Sequence, residues 1–220
     1  MKIKRVAQGL EGNENCSDEI KELLNKKRVY MINIMGSPGA GKTSLIIKLI
    51  NALKDKYNIG VIEGDIAGQI DAEKIDSLGI PVVQLNIAGA CHIEALSIKN
   101  IIQYFNLDEI DLIFIENVGN LVCPAEFDVG EDLKVAILSV PEGDDKPEKY
   151  PSMFTITDTV IIGKYDMVEH FEFDDNKVEM VTNSYNPNTE VFRISTRTGE
   201  GIEDLVKYMK RTIDFKINKH

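Results

Sequence analysis

The segment Gly36-Ser37-Pro38-Gly39-Ala40-Gly41-Lys42-Thr43-Ser44 brings glycines, one lysine and hydroxyls into a single short run. It satisfies G-x-x-x-x-G-K-[ST], a spacing suited to holding a phosphate chain. The glycines let successive backbone N–H groups turn toward one anion, and a helix starting near Lys42 adds the positive end of its dipole. Lys42 has the reach for β- and γ-phosphates, and the Thr43 hydroxyl suits Mg²⁺. Acids that would complete a magnesium site stand near the ends of two apolar runs. Glu116 follows Asp111-Leu-Ile-Phe-Ile, and Asp65 follows Val61-Ile62-Glu63-Gly64. Glu116-Asn117-Val118-Gly119 also fits a D/E-x-x-G switch, whose glycine amide detects the γ-phosphate. Lys42, Asp65 and Glu116 are therefore the catalytic candidates, acting through charge and position.

Two further groups bear chemistry. Gly163-Lys164-Tyr165-Asp166 matches three positions of N-K-x-D, the guanine-reading pattern. Asp166 suits the N1 and N2 donors of guanine, and the stem of Lys164 suits its ring face. Glycine at 163 removes a side-chain amide that would reach N7 and O6 and brace the phosphate loop, an expected loss of about 1–3 kcal/mol. Ser195-Thr196-Arg197 reads as a second base loop, with the Ser195 and Thr196 amides near O6. GTP with weakened base recognition is the expectation. Cys91 and His92 are adjacent at the start of an expected helix, and Cys123 lies four residues past the switch glycine. Thiolate and imidazole together suit Ni²⁺ or Zn²⁺ rather than Mg²⁺. Three ligands leave a fourth position open, or shared across a dimer, as a transfer site requires, and Cys123 ties that site to the switch. Cys16, His170 and His220 read as bystanders.

These groups need a scaffold that brings strand ends together. Apolar runs alternate with helical patterns, the mark of βαβ units. Strands are expected over 29–35, 59–63, 81–85, 111–116, 134–140, 159–163 and 190–194. Helices are expected over 17–27 (with Ser17 as N-cap), 42–56, 72–77, 92–105, 175–184 and 202–212, and irregular loops over 64–71, 119–132 and 141–153. The fold class is α/β, a mainly parallel central sheet with helices on both faces. Residues 1–220 read as a single P-loop GTPase domain with a short N-terminal helical extension.

Composition narrows the class. The 220 residues carry a net charge of −11, against a role in binding nucleic acid or a membrane surface. Three cysteines make a poor disulfide framework. The N-terminal segment has no apolar signal region, and no apolar run approaches membrane-spanning length. A reducing, cytoplasmic location is expected.

The segments MGSPGAGKTSL, VIEGDIAGQIDAEKI, Cys91-His92 with Glu94, IENVGNLVCPAEFDVGE and SVPEGDDKPEKYPSMF resemble the HypB nickel-incorporation GTPases of [NiFe]-hydrogenase maturation, over about 17–212. Urease accessory GTPases share the phosphate loop but carry Cys-Pro-His and another switch sequence, so they are the less similar group. The resemblance implies a SIMIBI-class P-loop NTPase that converts GTP to GDP and phosphate at a slow basal rate. It implies a nucleotide-dependent homodimer, Ni²⁺ or Zn²⁺ on Cys91, His92 and Cys123, and Asp65 and Glu116 near Mg²⁺ and the γ-phosphate. Its implied partners are a HypA-like metallochaperone and the hydrogenase large subunit. Asp145 and Lys146 fall where the family has polar residues near its nucleotide and dimer surfaces. The chain lacks the N-terminal cysteine-rich or histidine-rich nickel tracts of some members, and Gly163 departs from the base motif. The alternative readings are a nucleotide-binding metal-storage or regulatory protein with weak turnover, a urease-type nickel accessory GTPase, and a small P-loop kinase with an incidental zinc.

Overall fold

A computed structural model describes residues 4–7, 16–64, 69–86 and 89–218. Among these residues, eight strands form one sheet, in the order β1-β4-β3-β5-β2-β6-β7-β8. They are β1 Lys4–Ala7, β2 Tyr30–Gly36, β3 Ile59–Glu63, β4 Val82–Asn86, β5 Leu112–Gly119, β6 Leu133–Ser139, β7 Thr159–Gly163 and β8 Glu190–Arg193. Every pairing between these strands is parallel. The inner strands are buried on both faces, so their sequences are mostly apolar runs instead of alternating ones.

Side-chain alternation along β2 sorts the two layers. Ile32 and Ile34 face a core closed by α2 (Lys42–Leu53) and α8 (Ile202–Ile217), through Ile46, Leu49, Leu205 and Met209. Met31 belongs to the opposite core, where α1 (Cys16–Lys27) and α4 (Ala95–Ile102) contribute Ile20, Leu24, Ile98 and Ile101. Each such aliphatic side chain contributes roughly 1.5–3 kcal/mol on full burial. Farther along the sheet, α6 (Pro151–Ile156) and α7 (Asp175–Tyr185) cover Met35, Leu138 and Ile162 with Met153, Phe154 and Val178. The chain leaves β2 toward β3 on one side, while β6 lies on its other side. That divergence opens a crevice at the C-terminal ends of the central strands, where α/β sheets bind ligands.

The structure revises several expected boundaries. β5 continues past 116 to Gly119, because pairing of Gly36 with Gly119 carries the ladder onward after an irregularity. The switch sequence is therefore strand, not loop. The helix expected over 92–105 covers only Ala95–Ile102, leaving Cys91 and His92 in the turn before it. Ser17 lies inside α1, not at its cap, and Cys16 is fully buried in the core. α3 (Gln69–Asp76) starts earlier than expected, and α8 runs on to Ile217 because Ile213 continues its apolar face. The stretch 119–132 holds a 3₁₀ turn at Cys123–Glu126, and 141–153 holds α5 (Lys146–Lys149) and the start of α6. Among the described residues, no helix is long and apolar enough to cross a membrane.

Candidate functional site

β2 delivers the chain to Gly36, and α2 begins at Lys42, so the glycine-rich run arches from strand to helix. Gly41 caps α2 at φ 107°, a conformation costly for side chains with a Cβ. Lys42 is 3% exposed, and its Nζ donates to the carbonyls of Gly36 (3.3 Å) and Ser37 (3.2 Å). The ammonium thus folds back over the mouth of the loop. Next along the helix, Thr43 Oγ1 donates to Glu116 Oε1 at 2.8 Å. A hydroxyl and a buried carboxylate at the head of a phosphate loop form a hard oxygen donor set, the kind Mg²⁺ takes.

Glu63 stands opposite Glu116 in the β3–β5 register and is 1% exposed. Side chains paired in register share a sheet face, so a second carboxylate accompanies the first. The sequence reading missed Glu63. The only signal for it in the sequence is an acid closing an apolar strand, which Asp65 also satisfies. Asp65 lies outside the described residues.

Gly119 packs directly on the phosphate loop. A Cβ there would meet Pro38 Cγ at 2.8 Å, its N at 2.9 Å and its Cα at 3.0 Å. Asn120 N donates to Gly36 O at 3.1 Å, stapling the end of β5 to the first glycine of the loop.

The base-loop candidates converge as well. Asp166 Oδ1 accepts from Ser195 Oγ at 2.7 Å, and Arg197 lies 3.8 Å from Oδ2. Ser195 N donates to Glu200 O within its own turn, so that amide is engaged and the expectation that it faces a base is corrected. Thr196 follows at the half-buried rim. Glycine at 163 offers no side-chain brace, but the next residue supplies one. Lys164 Nζ donates to Gly39 O at 2.8 Å and ties the base loop to the phosphate loop. A Cβ on Gly163 would lie 3.2 Å from Ile137 Cδ1, so isoleucine fills the volume beneath the loop.

Cys91, His92 and Cys123 come together, with their ligand atoms all within 4.8 Å of one another. Cys91 Sγ lies 3.5 Å from His92 Nδ1. The imidazole stacks on Phe127 at a centroid distance of 3.7 Å, and its Nε2 lies 3.8 Å from Glu94 Oε1. Burial lowers the His92 pKa, favouring the neutral, ligating imidazole. The Cys123 sulfur pushes the Cys91 thiol upward through hydrogen bonding, so an incoming cation must displace a proton. Phe127 carried no recognisable metal-site signal in the sequence. Away from this cluster, Cys16 is core, and Asp145 pairs with Lys149 while Lys146 lies over the Tyr150 ring.

A family model described as CobW/HypB/UreG, nucleotide-binding domain, matches residues 30–193. The chain is 41% identical over 204 residues to the probable hydrogenase maturation factor HypB of Methanocaldococcus jannaschii, covering 93% of this chain and 92% of that one. It is similar to the crystal structure of HypB from Helicobacter pylori in complex with nickel, with TM-score 0.85, 36% identity and 92% and 95% of the two chains covered. The HypB structure from Archaeoglobus fulgidus gives TM-score 0.85 and 32% identity, over 91% and 98% of the chains. The phosphate loop, the parallel sheet that carries it and these likenesses together place the chain in the HypB family of hydrogenase maturation factors, within the P-loop NTPases.

Proposed function

We propose that this chain is a GTP-hydrolysing nickel metallochaperone for hydrogenase maturation, whose hold on the metal follows its nucleotide state. One observation carries the reading. A single strand end, from Glu116 to Gly119, touches Thr43 and Pro38 of the phosphate loop and then runs within four residues to Cys123. The strand that senses the phosphates is thereby continuous with a metal ligand.

The chain's own groups divide the work. The loop from Gly36 to Ser44 wraps the phosphates, and Lys42 leaves its carbonyl partners to reach the β- and γ-phosphates. Thr43 and Glu116 would hold Mg²⁺, with Asp65 beside the attacking water. Magnesium, when bound, neutralises charge that builds up on the transferred phosphoryl group. Gly119 reports the γ-phosphate, and Lys164, Asp166 and Thr196 receive the guanine, with the Ser195 hydroxyl holding Asp166 in place. Cys91, His92 and Cys123 take the nickel cargo (zinc is the competing ion), with a fourth position left for a partner ligand.

On this reading the protein works in the cytoplasm as a nucleotide-dependent homodimer. It exchanges metal with a HypA-like metallochaperone and the hydrogenase large subunit. Residues 1–220 act as one P-loop domain, an idea supported by α1 sharing a core with α4 and β5.

Phosphate release measured with GTP and with ATP, together with nickel competition titrations in both nucleotide states, tests the proposal. Expected are slow, magnesium-dependent release from GTP in preference to ATP and nickel affinities that differ between the GDP and GTP-analogue forms. Equal nickel affinities would overturn the coupling, and ATP turnover equal to GTP turnover would overturn the base assignment.

Asp166→Asn gives a sharper test of the base. Its carboxylate accepts from two guanine donors, whereas the amide keeps one acceptor for N1–H and turns an N–H toward position 2, which suits the O2 carbonyl of xanthine. GTP affinity should fall by about 10- to 150-fold, in line with 1.5–3 kcal/mol for hydrogen bonds to a charged group, while XTP affinity rises. Competition against a fluorescent nucleotide reads both.

A further inference from the structure

The turn that presents Cys91 and His92 is held from two sides by one short stretch, Asn117-Val118-Gly119-Asn120, where β5 ends. Asn117 is 1% exposed, and its Oδ1 accepts from Ile93 N at 3.3 Å and Val118 N at 2.9 Å. Its Nδ2 donates to Asn33 Oδ1 at 3.1 Å, and Asn33 Nδ2 donates to Glu131 Oε1 at 3.1 Å. Glu131 Oε2 accepts in turn from Val129 N at 2.9 Å. This buried chain fixes the Asn117 amide and, with it, the residue after His92.

Asn120 is placed differently. Its backbone N–H is on the Gly36 carbonyl of the phosphate loop. Its Nδ2 donates to Cys91 O at 3.2 Å, and its Oδ1 accepts from Val122 N at 2.8 Å. One residue thus contacts the nucleotide loop, the carbonyl of the first metal ligand and the residue just before the third.

We propose that Asn120 is the positioning residue that passes the nucleotide state to the metal cluster, with Asn117 as the fixed pivot. This rests on the nucleotide-coupled metal binding proposed above. Gly119 touches Pro38, so a shift of the 119–120 peptide on phosphate loss draws the Asn120 amide along with it. The Cys91 carbonyl and the Val122 amide then lose a common tether, while Ile93 stays anchored. The separation of Cys91 from Cys123 changes, and the metal is held differently.

The experiment measures nickel affinity of the full chain loaded with GDP and with a non-hydrolysable GTP analogue, by competition with a chromophoric chelator. Thiolate-to-nickel absorption is recorded alongside. In the unaltered protein the two affinities should differ by about 5- to 150-fold, the usual span of allosteric coupling. Asn120→Ala should bring them within about twofold while the thiolate-to-nickel band persists, because the ligands remain. Asn120→Asp, which keeps the acceptor for Val122 and removes the donor to Cys91, should do the same. By reciprocity, nickel should also stop shifting the GTP-to-GDP affinity ratio in both variants. If both variants retain the unaltered ratio, or lower both affinities by one common factor, the role of Asn120 is overturned and the coupling stands. If the unaltered protein already binds nickel equally in both states, the underlying reading fails instead.

Discussion

Lys42→Ala is expected to lower the GTP phosphate-release rate by at least a few hundredfold while nickel affinity of the nucleotide-free protein stays within about threefold. Removing one group that stabilises charge in a transition state typically costs 10²–10³ in rate. Here the group is an ammonium held beside the carbonyls of Gly36 and Ser37, at the mouth of the loop it must serve. The metal cluster lies on other segments and shares no contact with Lys42 among the described hydrogen bonds, so its ligands should be spared. Single-turnover phosphate release and a chelator titration read the two effects. A rate within tenfold of the unaltered protein would remove Lys42 from the chemistry.

Gly119→Ala should have the next largest effect, on binding. The added methyl would stand 2.9 Å from Pro38 N and 3.0 Å from its Cα. Those are backbone atoms, so rotation of a side chain cannot relieve the clash, and the end of β5 must separate from the phosphate loop. Overpacking of this kind costs about 1–3 kcal/mol, and the loop it deforms is the one that must close on phosphates. Affinity for GTP should fall at least tenfold, and the difference between GTP and GDP should shrink toward unity. Gly79→Ala is the control for backbone strain alone: alanine is strained there at φ +77°, but nothing lies within 4 Å of its Cβ and the turn is away from the loop. Its nucleotide affinity should not move. Unchanged GTP affinity in Gly119→Ala, measured with a fluorescent nucleotide, would show that the contact with Pro38 is incidental.

The parts of the molecule legible in its sequence are those fixed by local pattern. Gly36 to Thr43 specifies a strand, a turn and a helix start within one short run, and the structure follows it. β3 and β7 fall where continuous apolar residues put them. Local pattern failed at the start of α4, because Ile93 extends the apolar spacing of Ile98 and Ile101 backward and hides the turn bearing His92. β1 was missed for a different reason. Lys4-Arg5-Val6-Ala7 is a short, partly charged edge strand, held by backbone pairing to β4. Glu63 and Asn120 were illegible because their importance lies in register and in contacts across the sheet. No spacing in the chain announces that Glu63 stands opposite Glu116 or that Asn120 spans three loops. Cys91, His92 and Cys123 are legible as candidates because few residue types bind nickel, a chemical filter independent of the fold, and the structure brings their ligand atoms within 4.8 Å of one another.

The filling of the space below the phosphate loop by Ile137 has an evolutionary consequence. An asparagine at 163 would place its Cβ 3.2 Å from the isoleucine δ-methyl before the amide is even considered. The contact is with the far end of a flexible side chain, so Ile137 must shift by a few tenths of an ångström to admit it, and valine at 137 would remove that need. Glycine at 163, with lysine at 164 tethering Gly39, is thus a self-consistent local solution in which the residue tolerated at 163 is coupled to the one at 137.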